Sequence, residues 1–446
     1  MPQFRESRPA LAVLSALAVL AVGAGGAWAA DAPTVRKGDF KGWNAYLLGN
    51  GLVTLGLAPE AGGRAVRFDL GTHALLWLDP QQLGRSFAPA DDGAWHDFGG
   101  DVAWLAPHSR WRRDLGLGPP QPELDHGAWT AQIEAGDESS AIVTMHSPVA
   151  ALPGWTAVGI QLQRRFTLFR NQAHVRVEQT MTNTAAAPAV WALWEDVRVP
   201  GAHEGLDDWE KHAIYFPLRA DSVFAPRGFR TFHEYGDDEG QWRTIADEGV
   251  AQVLYRHRAA RIGADSDGGW ICSVDERDGY AFALRYALAP EPAVHPDGIT
   301  VAVSTSATSA SMTMGVLGPL VALEPQASAT LVVDWYATRC DGPVLAVGEA
   351  GLIKRRLEAH SDDTLVHITG SYGVFAEGTV AVAGLGDGEQ PKRTALGSYF
   401  VSPTQPVRLD ADLKVPAAVT SVVLEVLDGD GHLVGVLDRA TVQRGR

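Results

Sequence analysis

Positive charge is in short supply in this 446-residue chain: 37 Lys and Arg stand against 53 Asp and Glu, a formal net charge of −16. That balance excludes broad nucleic-acid binding, which needs a basic face to neutralise phosphates, and disfavours docking on anionic lipid. Cysteine is nearly absent, with Cys272 and Cys340 alone, so a disulfide-dense scaffold and a paired CxxC motif are both excluded. The GxSxG elbow, the P-loop, a GxGxxG after a strand and HExxH are missing. No histidine pair has the helical spacing of metal ligands, so a metal site would have to be assembled from distant strands; neither metal nor cofactor is expected. The Asp/Gly clusters at 265–269 and 428–431 lack EF-hand spacing and read as β-turns. Beyond the first thirty residues, no stretch approaches the roughly 18 uncharged apolar residues of a membrane-spanning helix.

What is present is a chain able to bury a sizeable core, with 46% apolar and 20% charged residues. Residues 1–29 read as a secretory signal peptide: Arg5 and Arg8 form a positive start, residues 11–22 (LAVLSALAVLAV) an apolar run, and Ala27-Trp28-Ala29 a cleavage site. The expectation is export to a periplasm or the exterior, with no stable membrane insertion after cleavage. Export permits a disulfide between Cys272 and Cys340, worth about 4 kcal/mol in the chain-entropy model, with two buried free thiols as the equal alternative.

Strand signals dominate. Val66, Phe68 and Leu70 alternate with polar neighbours before Gly71-Thr72-His73, a hairpin pattern. Residues 160–169 and 174–182 flank Arg170-Asn171-Gln172 in the same way. The best helical candidate is 349–360, where Leu352, Ile353 and Leu357 are placed on one face. Short strands then follow at 364–369, 379–383, 407–411, 419–427 and 432–436, separated by Gly, Asp and Pro. The prediction is all-β: a large antiparallel two-sheet domain over 31–343, a helical linker over 344–363, and a small Ig-like β-sandwich over 364–446.

Tryptophan is the informative residue. Fourteen occur, nine of them between Trp77 and Trp209. Sandwich cores are usually built from Val, Ile, Leu and Phe, whereas an indole offers a flat apolar face and one N–H donor, which suits a sugar ring; packing accounts for at least half of them. Three clusters carry the candidate site. In PEAGGRAVR (59–67), Gly62-Gly63 precedes Arg64, which could clamp a carboxylate or a hydroxyl pair, or form a structural ion pair. HDFGGDVAWLAPHSRW (96–111) mixes His96, Asp101, Trp104, His108 and Trp111 around two glycines and reads as a binding loop. In WALWEDVR (191–198), written as a strand, Glu195 shares a face with Trp191, Leu193 and Val197, where desolvation would raise its pKa. Trp194 lies on the other face with Asp196 and Arg198, read as an ordinary ion pair. The alternative for Glu195 is a solvated carboxylate on an edge strand.

These residues resemble the galactose mutarotase-like (aldose 1-epimerase-like) superfamily, in a bacterial branch of domain-of-unknown-function proteins. The matching pieces, in order, are Asn50-Gly51-Leu52-Val53 with 59–64, Phe98-Gly99-Gly100-Asp101 with Trp104, Ala106 and Pro107, and Thr182-Asn183-Thr184 leading to Trp194. Arg261-Ile262-Gly263, His295-Pro296-Asp297-Gly298 and Leu317-Gly318-Pro319-Leu320-Val321 follow. They span most of 31–339 and none of the C-terminal module. The sequence departs from the branch at Val102, Arg261 and His295. The resemblance implies an antiparallel supersandwich whose concave face holds carbohydrate, with a His and a Glu as acid and base in the epimerases.

Two functions are expected from these features. One is an exported carbohydrate-binding protein, capable of epimerisation or mutarotation with Glu195 as base and His96 or His108 as acid, and with Arg64, Asp101, Trp104, Trp111 and Trp194 holding the ring. The other is a non-catalytic envelope scaffold whose C-terminal module binds a protein partner.

Overall fold

In the computed structural model the described residues are 32–90, 94–112, 119–203, 209–236, 240–361, 365–387 and 392–444. The segment read as a signal peptide lies outside them. The fold is all-β. A twelve-stranded sheet runs in the order Thr34–Phe40, Trp43–Gly49, Val53–Ala58, Arg64–Leu70, Asp101–Ala106, Ala189–Pro200, Ser311–Leu317, Val301–Thr305, Ala260–Ala264 and Arg230–Thr231, with His73–Ala74 and Val321–Leu323 paired at its side. A ten-stranded sheet packs against it, with Trp270–Asp275, Tyr280–Tyr286, Ser328–Arg339, His174–Asn183 and Ile160–Phe169 adjacent in that order at its centre. Every described pairing within these two sheets is antiparallel.

The alternation that predicts the hairpins is the alternation that builds the core. Residues 160–169 and 174–183 pair as expected, with Val177 opposite Phe166. From the first sheet, Phe68 meets Phe282 at 5.1 Å and Trp335 at 5.5 Å from the second, so both inner faces interdigitate. Gly62 and Gly63 lead into Arg64–Leu70 with φ of 75° and 63°. A Cβ on Gly62 would stand 1.8 Å from the Asp125 carbonyl oxygen, and one on Gly63 2.3 Å from the Trp129 ring. Only glycine lets the one-turn helix Pro122–Asp125 press this close.

The stretch 96–111 is not a loop throughout. Residues Asp101–Ala106 form a fully buried strand next to Ala189–Pro200. Tryptophans and carboxylates are accommodated there because both faces of the strand are covered.

The helical linker is not formed. Residues Gly351–Ser361 are a strand, preceded by the short strand Ala346–Val347. Its pairing with Val366–Val374 slips between Ile353 and Arg355 and again between Arg355 and Glu358. Leu352 faces the large sandwich while Ile353 and Leu357 face the module's own core, the bulges between them keeping Leu357 on the Ile353 side. A strand buried on both faces thus carries apolar residues at a spacing that imitates a helix. The C-terminal module therefore starts near Ala346. Its two sheets centre on Gly351–Ser361, Val366–Val374 and Val407–Leu413, and on Arg393–Val401, Gly378–Gly386, Val419–Asp428 and Leu433–Thr441.

This module sits on the outer face of the ten-stranded sheet. Tyr215, Trp270, Cys272 and Tyr336 share one apolar cluster with Leu352 and Phe375, and Tyr336 stacks on Phe375 at 4.3 Å. Cys272 and Cys340 both lie in this cluster as free, buried thiols, not as a disulfide. Burial pushes the Cys340 thiol up to about 11 and the Cys272 thiol well above its ordinary value.

Candidate functional site

Residues Ala189–Pro200 decide where chemistry can occur, because successive side chains point to opposite faces of the sheet. Glu195 points inward and is fully buried. Its Oε1 accepts a hydrogen bond from Trp335 Nε1 at 2.9 Å, and its Oε2 one from Arg164 at 3.3 Å. The same guanidinium nitrogen of Arg164 donates to Asp101 Oδ2 at 2.5 Å. Two carboxyls thus share one cation between the sheets. Burial, then the neighbouring Asp101 charge, pushes Glu195 well above the usual carboxylate range. Asp101 is also raised by burial, against the pull of Arg164.

Neither group can touch a substrate. The expected base Glu195 and ring-binding Asp101 are instead an internal polar tie between sheets. The apolar row of Glu195 is real, but it faces the opposing sheet and not a cleft.

The outer face carries a different set. Trp194 lies against Trp104 and Trp111, with ring centroids 5.1 and 6.2 Å away, and Trp104 and Trp111 are 5.3 Å apart. His108 packs on Trp111 at 4.1 Å. Trp95, 42% exposed, closes the group edge-on at 5.8 Å from both Trp104 and Trp111. Trp104, Trp111, Trp194 and His108 are therefore brought together as expected, but the three indoles are buried against one another and expose almost no face to a ring.

Arg64 forms the structural ion pair: it donates to Asp125 Oδ1 at 2.8 Å, both groups buried, and Trp104 Nε1 donates to the same oxygen at 2.8 Å. His96 is placed elsewhere, stacked on Phe87 at 3.6 Å and edge-on to His126.

Beside the tryptophans opens a cavity of about 450 Å³, with Trp77, Asp97, Arg198, Tyr235, Ser304 and Thr313 on its wall. Antiparallel register brings Arg198 opposite Thr313, Thr313 opposite Ser304, and Ser304 opposite Arg261, a polar row across four strands. Arg198 hydrogen-bonds Thr313 Oγ1. It lies 3.1 Å from Asp97 Oδ2 and 3.4 Å from Asp196 Oδ2. Burial raises the Asp196 carboxyl to about 6, against the pull of Arg198. At Asp97 burial also acts upward, but Arg198 and Arg64 hold the carboxyl below its usual range. Arg261 lies 4.9 Å from the Trp194 ring centroid and 5.0 Å from that of Tyr235. The Tyr235 hydroxyl is 2.7 Å from His108 Nδ1, and burial pushes its phenol up. A larger hollow, about 720 Å³, opens beside Arg219, Asp265 and His295, with no tryptophan on its wall.

Sequence reading missed Asp97, Trp77 and Tyr235, and treated Asp196–Arg198 as incidental. The usable signal was the alternation that sets Asp196 and Arg198 on the Trp194 face. Tyr235 carried none, since it comes from a short turn, His233–Tyr235, far along the chain.

Comparison with known proteins gives the following. No curated protein matches the sequence. Among solved structures, the chain is similar to a galactose mutarotase-like protein from Clostridium acetobutylicum, at 9% identity and TM-score 0.44, covering 69% of this chain and 99% of that one. It is also similar to a galactose mutarotase-like protein from Lactobacillus casei, at 11% identity and TM-score 0.42, covering 66% and 99%. A TPR-domain containing protein from Parabacteroides distasonis gives 11% identity and TM-score 0.45, covering 68% and 48%. A family profile matches residues 44–338, the large sandwich without the module, and on that match the chain belongs to the family described as a domain of unknown function, DUF4380.

Proposed function

We propose that this protein binds a carbohydrate in the cavity of about 450 Å³ on the outer face of the twelve-stranded sheet. One observation carries the reading: a single open wall combines the aromatic side chains Trp77 and Tyr235, the charged pair Arg198–Asp97, and the hydroxyls of Ser304 and Thr313. A polyhydroxylated ring needs that combination, with apolar faces to stack on and directional donors and acceptors at its rim. The volume fits a mono- or disaccharide. Binding is the primary role. For anomer exchange, the acid–base pair we assign is Asp97, the wall carboxyl beside Arg198, and Tyr235, with His108 behind Tyr235, in place of Glu195 and His96; Asp79 also lines the wall. Export, through residues 1–29, belongs to the same reading.

The test is thermal unfolding of the mature protein against monosaccharides, uronates and short glycans. A ligand at a hundred times its Kd adds about 2.7 kcal/mol to the native state, a readable rise in Tm. A selective rise that Arg198→Lys removes supports the site; a flat panel with folded protein overturns it.

A second reading, partner binding by the C-terminal module, is favoured by one feature. Phe400 and Leu427 stand opposite Thr379, and Leu433 stands opposite Leu427, so a cross-strand row carries three large apolar side chains and one threonine, with Phe400 and Leu433 each 60% exposed. Pull-down with the intact chain and with Phe400→Ser/Leu433→Ser tests it: a partner lost on substitution supports this role, and one retained removes it.

A further inference from the structure

A second polar centre lies on the far side of Trp77, which lines both the cavity above and a separate one of about 300 Å³. Three histidines and two aspartates converge there from four separated segments. His73 comes from the short edge strand His73–Ala74 of the twelve-stranded sheet. His212 and Asp275 end strands of the ten-stranded sheet, Asp278 lies in the turn that follows, and His203 lies beyond the Ala189–Pro200 strand.

The division of labour within Asp275 is informative. Its Oδ1 accepts the backbone N–H groups of Arg277 and Asp278, both at 3.0 Å, and so holds the turn. Its Oδ2 accepts no hydrogen bond although the side chain is only 7% exposed. That oxygen lies 2.9 Å from His203 Nε2 and 3.7 Å from His73 Nε2, and His203 Nε2 lies 3.3 Å from Asp278 Oδ2. His203 Nδ1 faces His212 Nε2 at 3.4 Å. The His73 ring is held flat on Tyr280, 3.7 Å between centroids and 2° between planes.

Four-coordinate zinc has bonds of about 2.0–2.1 Å to nitrogen and oxygen, which puts neighbouring ligand atoms about 3.3 Å apart. The spacings just given bracket that value. A surface ion pair has no reason to draw imidazoles from both sheets onto one buried carboxylate oxygen.

We propose that His203 Nε2, His73 Nε2, Asp275 Oδ2 and Asp278 Oδ2 bind one divalent first-row transition metal ion, with zinc as its best match, and that His212 orients His203. In this arrangement His203 Nδ1–H donates to His212 Nε2, which leaves the Nε2 lone pair for the metal, the usual outer-shell device of metal-bound imidazoles. The ion would pin the edges of the two sheets together. It is independent of the carbohydrate reading, whose cavity lies across Trp77.

The experiment uses the full chain stripped with EDTA and then titrated with zinc in a calorimeter, and with cobalt(II) followed by visible absorption. The expected result is one zinc per chain, a four-coordinate cobalt spectrum, and a rise in Tm on metal addition. His203→Gln and Asp275→Asn should each weaken binding by a hundredfold or more, and His212→Gln by about 10- to 100-fold. Asp275→Asn keeps the Oδ1 contacts that hold the turn, and His73→Gln changes only a partly exposed edge residue, so these two keep the test valid if another variant fails to fold. Absence of stoichiometric zinc binding by the wild-type chain overturns the proposal. So does unchanged binding in the folded Asp275→Asn and His73→Gln variants, which would place the ion elsewhere.

Discussion

Glu195 and Asp196, neighbours in sequence, stand on opposite sides of one sheet, the first 3.3 Å from Arg164 in the interior and the second 3.4 Å from Arg198 on the outer face. Each carboxyl has its own arginine and its own surroundings, and the two therefore answer different experiments.

On the inner side, Glu195→Gln should leave sugar binding unchanged and cost less than loss of the arginine, since the amide has nearly the same shape, keeps an oxygen to accept from Trp335 and relieves the crowding of two buried carboxyls. Arg164→Met removes the cation that donates to both buried carboxyls and should cost about 3–5 kcal/mol. Urea unfolding of both variants at pH 7 checks this. An Arg164→Met protein as stable as wild type would mean that the tie between sheets has no energetic weight.

On the outer side, Asp196 titrates near 6 in the folded state, above its ordinary value of 3.8. The native state therefore binds more protons than the unfolded state between those values, and stability attributable to this group falls as pH rises from about 4 to about 6, by on the order of 3 kcal/mol. Asp196→Asn removes the step. The check is the difference between wild-type and variant unfolding free energies across that range; a pH-independent difference would show that Asp196 titrates normally.

Arg198 serves Thr313, Asp97 and Asp196 at once, a task for a planar guanidinium and not for a point ammonium. Arg198→Lys should weaken ligand binding by about tenfold or more while the protein stays folded. Calorimetry with the ligand found in the thermal panel decides it, and equal affinity in the variant would remove Arg198 from the binding wall.

Because Trp104 is buried against Trp111 and Trp194, it is core first. Trp104→Ala should cost about 3–5 kcal/mol, whereas the more exposed Trp95→Ala should cost about 1 kcal/mol, the worth of its edge-to-face contacts. Denaturant midpoints for the two variants compare them directly, and similar costs would contradict the layered arrangement.

A chain ended near residue 343 should aggregate or unfold at lower temperature. Removing the module uncovers Tyr215, Trp270 and Tyr336 on the outer face of the ten-stranded sheet. Size-exclusion chromatography and thermal unfolding of the truncated chain test this, and a monodisperse product with unchanged Tm would show that the shared cluster is dispensable.

The parts legible in the sequence were those governed by local period. The 160–183 hairpin alternates cleanly, and the strand runs of the C-terminal module fell close to their observed positions. Gly351–Ser361 was misread because both its faces are buried and its bulges shift the phase on which such reading depends. The apolar row of Glu195 was visible, but its direction was not. In a two-sheet sandwich with loops over its outer face, both sides of a central strand are buried, and polarity alone does not say which side faces a cleft. Arg64 and Asp125, 61 residues apart, pair through a close approach that no local pattern encodes. The cavity wall gathers Trp77, Asp97, Arg198 and Tyr235 from four separate stretches of the chain.

The module caps the outside of one sheet, and the cavity opens on the outside of the other. A molecule held by its C-terminal end, whether to a surface or to a companion protein, would face outward with its opening unobstructed. Anchorage and capture could proceed together, each blind to the other except through the stiffness of the slab between them.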